Sequence, residues 1–217
     1  MASQSRITAV EEKPGGFRVT VSDLSDPLIL PIELVYRYNL KAGVTITPSQ
    51  VDQLVSESAR FQCDHETARL LALREHSAGE IRLKLRRKGF ADKLVAATVE
   101  KYVRQGLIDD ARLAAALARQ SLERKPSGRA FLVALLRKKM IERTLAERTV
   151  DQTLEDIDET EAAVRALRHK WPNPDQIEVE SVRTKAYSYL SRRGFTYETA
   201  RAACNEVFGA SGKADED

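Results

Sequence analysis

One six-residue pattern occurs three times in this chain, as Leu85-Arg-Arg-Lys-Gly-Phe90, Leu136-Arg-Lys-Lys-Met-Ile141 and Leu190-Ser-Arg-Arg-Gly-Phe195, spaced by 51 and then 54 residues. A period near 50 residues constrains the fold more than composition does, because each repeat is a supersecondary unit that must bury its apolar face against itself and its neighbours. The match extends in both directions without gaps. Upstream, Ile81, Leu132 and Ala186 stand four residues before the shared leucine; downstream, Val99, Val150 and Cys204 align, as do Val103, Leu154 and Phe208. The copies also settle the local period. Ile81-Arg-Leu-Lys-Leu85 alternates like a strand, but Leu132-Val-Ala-Leu-Leu136 and Ala186-Tyr-Ser-Tyr-Leu190 retain only the i, i+4 pair, which is helical spacing. Gly89 and Gly194 fall where a helix needs a left-handed residue to stop, and Phe90 or Phe195 can fold back on the last turn. Met140 takes the glycine's place in the second copy and predicts another helix end or a strain cost there.

Each unit reads as three helices, about Asp64 to Glu75, Ala78 to Lys88 and Asp92 to Arg104 in the first, where Asp64 would cap the helix that contains His65. Their counterparts start near Asp110, Ser127 and Glu142, then near Glu159, Glu180 and Tyr197; the two-proline loop Trp171-Pro-Asn-Pro-Asp175 lengthens the third unit's first connection. The first 58 residues differ. Arg6 to Val10, a Lys13-Pro-Gly-Gly16 turn and Phe17 to Val21 give a hairpin signal, Leu28 to Tyr36 is a further apolar stretch, and Val44-Thr-Ile46 suits a third strand. Thr47 then serves as N-cap with Pro48 at the first helical position. The expected fold class is mainly α: three tandem three-helix repeats at 59–108, 109–158 and 159–209, preceded by a small N-terminal β-hairpin-containing module with leading helix at 1–58. A disordered acidic tail is expected at 210–217. Three such units in a row predict an elongated or curved array of roughly 70 Å.

The net charge of +3 conceals a division along the chain, −2 over residues 1–58, +7 over 59–209 and −2 over 210–217. The basic residues bunch at Arg82, Lys84, Arg86, Arg87 and Lys88, again at Arg124, Lys125, Arg129, Arg137, Lys138, Lys139 and Arg143, and again at Arg183, Lys185, Arg192 and Arg193. The repeat aligns Arg87 with Lys138 and Arg192, and Lys88 with Lys139 and Arg193, in the last turn of each middle helix. Complementing the helix dipole accounts for about one such cation per helix end. The excess suits a repeating anionic partner such as a nucleic-acid backbone or an acidic filament. Asn and Gln, which read adenine, are absent from the middle helices, and aromatic residues for base stacking are few, mainly Tyr187, Tyr189, Phe131 and Tyr197, so any nucleic-acid contact is expected mainly at phosphate.

Catalytic signatures are lacking: there is no phosphate-binding G-x-x-x-x-G-K-[ST] loop, G-x-G-x-x-G or H-E-x-x-H, and His65, His76 and His169 are isolated. Asp109-Asp110 reads as a helix cap, and Cys63 and Cys204 as buried small hydrophobes. No catalytic residue, metal site or cofactor is expected, and with no apolar run of membrane-spanning length the reading is a cytoplasmic protein.

Arg74-Glu-His-Ser77, Glu80 to Phe90, Gly106-Leu-Ile-Asp-Asp110 with Arg112-Leu-Ala114, and Tyr189-Leu-Ser-Arg-Arg-Gly-Phe195 together resemble the motifs of the RecX family, bacterial regulators of the RecA recombinase. The likeness covers about residues 60–208, and Leu34 to Gly43 is similar to an N-terminal extension of longer members. It implies a non-enzymatic monomer of tandem three-helix units, acting in DNA recombination, repair and the SOS response. Such proteins bind RecA filaments on single-stranded DNA and depress ATPase, strand exchange and coprotease activity. From charge geometry, the contact residues expected are Arg87, Lys88, Lys138, Lys139, Arg192 and Arg193, with Arg82, Arg86, Arg124 and Arg129 as outer members. A nucleic-acid-binding helical protein such as a transcriptional regulator, or a helical scaffold, are the other readings.

Overall fold

Strand β1 (Ser5–Lys13) turns through Pro14 and Gly15 into β2 (Gly16–Val21), in a register running from Lys13↔Gly16 to Ile7↔Val21. Gly15 takes φ 86°, a left-handed turn position that a side chain would resist. β3 (Leu28–Leu30) and β4 (Thr45–Ile46) complete an antiparallel sheet in the order β3-β2-β1-β4. The apolar stretch from Leu28 is thus divided: Pro31, which has no N–H for the ladder, ends β3 and opens a short helix, α1 (Ile32–Arg37).

This computed structural model describes residues 4–173 and 179–209 and forms two units, Met1–His76 with Glu80–Ile108, and Ser77–Gly79 with Asp109–Asp217. In the first, the sheet buries Ile7, Val19, Val21, Leu28, Leu30 and Ile46 against Val51 and Leu54 of α2 (Pro48–Leu73). Thr47 caps α2 as expected: its hydroxyl accepts from the Gln50 amide while the Gln50 side chain accepts from the Thr47 amide. The expected helix start at Asp64 is corrected. α2 continues for 26 residues through Asp64 and His65, since nothing between Ser49 and Leu73 is Gly or Pro and each buried turn finds a surface. Its sheet-facing part is tied by Ser58, whose Oγ accepts from the Ile29 amide at 2.9 Å. Its later part buries Cys63, Thr67 and Leu70, and α3 (Ala78–Arg87) and α4 (Asp92–Arg104) supply Ile81, Leu85, Val95 and Val99 to the interior. Asp64 is fixed by Lys101, 2.8 Å from its Oδ2, and its carbonyl accepts from Tyr102.

The second unit holds α5 (Asp110–Arg124), α6 (Arg129–Lys138) and α7 (Arg143–Leu154), then α8 (Glu159–Lys170), α9 (Val179–Arg192) and α10 (Tyr197–Phe208). Asp109, Glu142, Asp158 and Thr196 cap four of these with side-chain oxygens. Asp110 does something else: its Oδ1 accepts from the Ala78 amide at 2.8 Å. One core gathers Ala114, Leu132, Leu136, Ile141, Ala146 and Val150, and the next Ala163, Leu167, Ala186, Leu190, Phe195 and Cys204. The columns aligned by the repeat are therefore core columns, with Ile81, Leu132, Ala186, Val99, Val150 and Cys204 all fully buried. The last column grades outward, from Phe208 at 9% exposure to Val103 at 44%. The protein is mainly α with a small N-terminal strand module. The acidic tail expected at 210–217, and the second proline of the loop expected at 171–175, lie outside the described residues.

Candidate functional site

The middle helices all end in one way. Gly89, Met140 and Gly194 take φ 88°, 57° and 82°. Their amides bond back three residues to Arg86, Arg137 and Ser191. The next amides, of Phe90, Ile141 and Phe195, bond back five residues to Leu85, Leu136 and Leu190. Met140 adopts the glycine's conformation rather than another geometry, so the substitution carries a strain cost. The two aligned basic columns that precede this shared ending differ in their surroundings.

Arg87, Lys138 and Arg192 are exposed and make no ion pair among the described residues. The fold engages the following column unevenly. In the first unit Lys88 reaches Glu66 at 3.0 Å, where Arg69 also binds at 2.8 Å. The Glu66 carboxyl is lowered from 4.5 to about 2, foremost by the Arg69 hydrogen bond, with Lys88 adding to it against the opposing effect of burial. In the second unit Lys139 is half-buried, and its carbonyl accepts from the Ser77 hydroxyl at 2.5 Å. Arg193 lies across the junction of α6 with α9. Its guanidinium donates to the carbonyls of Lys125 at 2.8 Å and Pro126 at 2.7 Å and to Ser127 Oγ at 2.7 Å, and sits 4.9 Å above the Phe131 ring.

Of the outer members, Arg82 and Arg124 are exposed without an ion pair among the described residues. Arg86 is held by Asp92 at 2.6 Å, and Arg129 by Asp151 at 2.6 and 3.0 Å. Arg124, Lys125 and Arg193 rim a cleft of about 310 Å³ floored by Leu117, Phe131 and Leu135. No acidic side chain lines it, so it is an apolar slot with a positive edge. The repeat alignment could locate these residues but could not tell which of them the fold engages, since both columns are runs of Arg and Lys.

Burial raises the Cys63 and Cys204 thiols above their usual range, away from the thiolate. Among the described residues, no group of three His, Cys, Asp or Glu side chains is placed to hold a metal ion, and no helix is long and apolar enough to cross a membrane.

Residues 68–101 match the family profile described as RecX, first three-helix domain. The chain is 33% identical over 135 residues to "Regulatory protein RecX" of Pelodictyon phaeoclathratiforme, covering 62% of this chain and 82% of that one. It is also 33% identical over 150 residues to "Regulatory protein RecX" of Chlorobaculum tepidum, covering 67% and 88%. A crystal structure of regulatory protein RecX superposes with a TM-score of 0.65 over 94% of this chain and 98% of its own, at 17% identity. That of RecX from Lactobacillus salivarius gives 0.61 over 69% and 96%, at 20% identity. At these identities the two structures speak for the fold.

Proposed function

The chain belongs to the RecX family of regulatory proteins, and on that premise we propose that it is a non-enzymatic modulator, mainly an inhibitor, of the RecA recombinase. It binds RecA filaments on single-stranded DNA and depresses their ATPase, strand exchange and coprotease activities. The observation that carries this reading is the exposed column Arg87, Lys138 and Arg192, one cation per repeat at the same place in each middle helix and free of ion pairs among the described residues. Cations already paired to carboxylates gain little from an anionic partner, because a new contact replaces an old one; unpaired ones gain the full contact. Arg82, Arg124 and Lys125 are further exposed cations without an ion pair among the described residues, whereas Lys88, Arg86 and Arg129 act through the fold, holding Glu66, Asp92 and Asp151.

The test is charge reversal on an intact scaffold. The double variant Lys138→Glu, Lys139→Glu should lose inhibition of RecA while keeping the far-ultraviolet helical signal, and Arg86→Ala should retain inhibition. Unchanged inhibition by the double variant would place the contact on another face.

A further inference from the structure

The aromatic residues of the third repeat have two different uses. Trp171 meets Tyr189 and Phe208 edge to face, at ring separations of 5.7 and 6.1 Å, against the buried core. Tyr187 and Tyr197 instead lie nearly parallel, 5.8 Å apart with 17° between their planes, and Tyr197 is 70% exposed. Tyr197 is the first residue of α10, immediately after the Thr196 cap, so the helix start holds its backbone while the core takes almost none of its ring. The two rings line a cleft of about 320 Å³ with Ser188, Ser191, Phe195 and Thr196. The Thr196 hydroxyl is committed to Thr199, but those of Ser188 and Ser191 have no hydrogen-bond partner among the described residues. Arg192 follows Ser191, and Arg201 lies one turn beyond Tyr197; both are exposed and without an ion pair among the described residues. Glu198 is the acidic residue of the same turn.

We infer that Tyr197, backed by Tyr187, is a stacking platform for one unpaired base of single-stranded nucleic acid. The strand's phosphates run past Arg192 and Arg201, and the base edge is within the reach of the serine hydroxyls. A flat exposed ring already supported from behind loses little conformational freedom on taking a third ring, and every base has a face to offer. Flanking cations select an anionic strand over an apolar protein segment. This rests on the single-stranded DNA part of the proposed function and adds a contact beyond phosphate.

The experiment is binding of a fluorescent oligothymidylate by anisotropy, without recombinase, for the wild type, Tyr197→Ala, Tyr197→Phe and Arg192→Ala. Tyr197→Ala should weaken binding by about 5- to 100-fold with an unchanged salt slope, while Tyr197→Phe stays within about twofold. Arg192→Ala should lower the slope by about 0.7. On an abasic strand of equal length, wild type and Tyr197→Ala should bind alike. Undiminished binding by Tyr197→Ala, or equal loss on the abasic strand, overturns the platform. If Tyr197→Ala keeps strand affinity but loses inhibition of the recombinase, the ring faces protein, and the inference is again overturned. A wild type that shows ring-dependent binding but no inhibition would overturn the proposed function and leave the platform standing.

Discussion

Met140 holds φ 57° at a position where the other two repeats have Gly89 and Gly194. A side chain in the left-handed region costs roughly 1–2 kcal/mol, and glycine returns part of this through greater freedom of the unfolded chain. Met140 is 44% exposed, so only part of its side chain is withdrawn from packing on removing it. Met140→Gly should therefore stabilise the protein by about 0.5–1 kcal/mol in urea denaturation; destabilisation would mean that its contact with Gly79 outweighs the strain. Glu66 supplies a prediction in pH. Its folded carboxyl titrates at about 2 against an ordinary 4.5, so its contribution is complete above about pH 4.5 and is lost as pH falls through about 2. Glu66→Gln should be less stable than wild type at pH 6, and the gap should close on acidification; a constant gap would show that the ion pairs with Arg69 and Lys88 are not its source. The repeat singled out position 140 by supplying two glycines as a standard, but left open whether Met140 would follow them or end the helix by another geometry. The internal use of Arg193 was not legible, because a run of two arginines carries no mark of which guanidinium will find three acceptors on a neighbouring turn.

Between elements, the second unit joins middle helices end to start. The Gly128 amide donates to the Arg193 carbonyl at 2.9 Å and that of Ala130 to the Gly194 carbonyl at 3.3 Å. The open amides of one helix start thereby satisfy the open carbonyls of another helix end. The approach leaves no room for a Cβ at Gly128, which would overlap the Gly194 carbonyl, and Gly79 stands in the same relation to the Met140 carbonyl. Gly128→Ala should cost about 1–3 kcal/mol, as overpacking against backbone does, and its unfolding midpoint in urea measures this. A midpoint equal to the wild type's would mean that the junction yields freely. These close approaches had no signal in one sequence. The continuity of α2 did have one, the lack of Gly and Pro after Pro48. The start expected at Asp64 came from carrying the later repeats' boundaries back onto the first, where the leading helix is fused to the one that supports the sheet. The hairpin, the Thr47 cap and the glycine helix ends at Gly89 and Gly194, by contrast, follow from local rules of turn and cap chemistry and were readable residue by residue.

At the scale of the molecule, the +3 of the whole chain matters less than where the unpaired part of it lies. Carboxylates such as Asp92, Asp151 and Glu66 hold their own cations, and Arg82, Arg87, Arg124, Lys138 and Arg192 are exposed without an ion pair among the described residues. If four to six phosphates are neutralised, the logarithm of the affinity for single-stranded DNA should fall against the logarithm of salt with a slope of roughly −3 to −4 and little dependence on sequence. A strong preference for one duplex sequence would favour a transcriptional regulator instead. The central claim is inhibition of the recombinase, and the direct measurement is ATP turnover by RecA on single-stranded DNA while this protein is titrated in. Turnover should fall with added wild-type protein and hold steady with the Lys138→Glu, Lys139→Glu variant; turnover unchanged by wild-type protein in molar excess over RecA would contradict the claim.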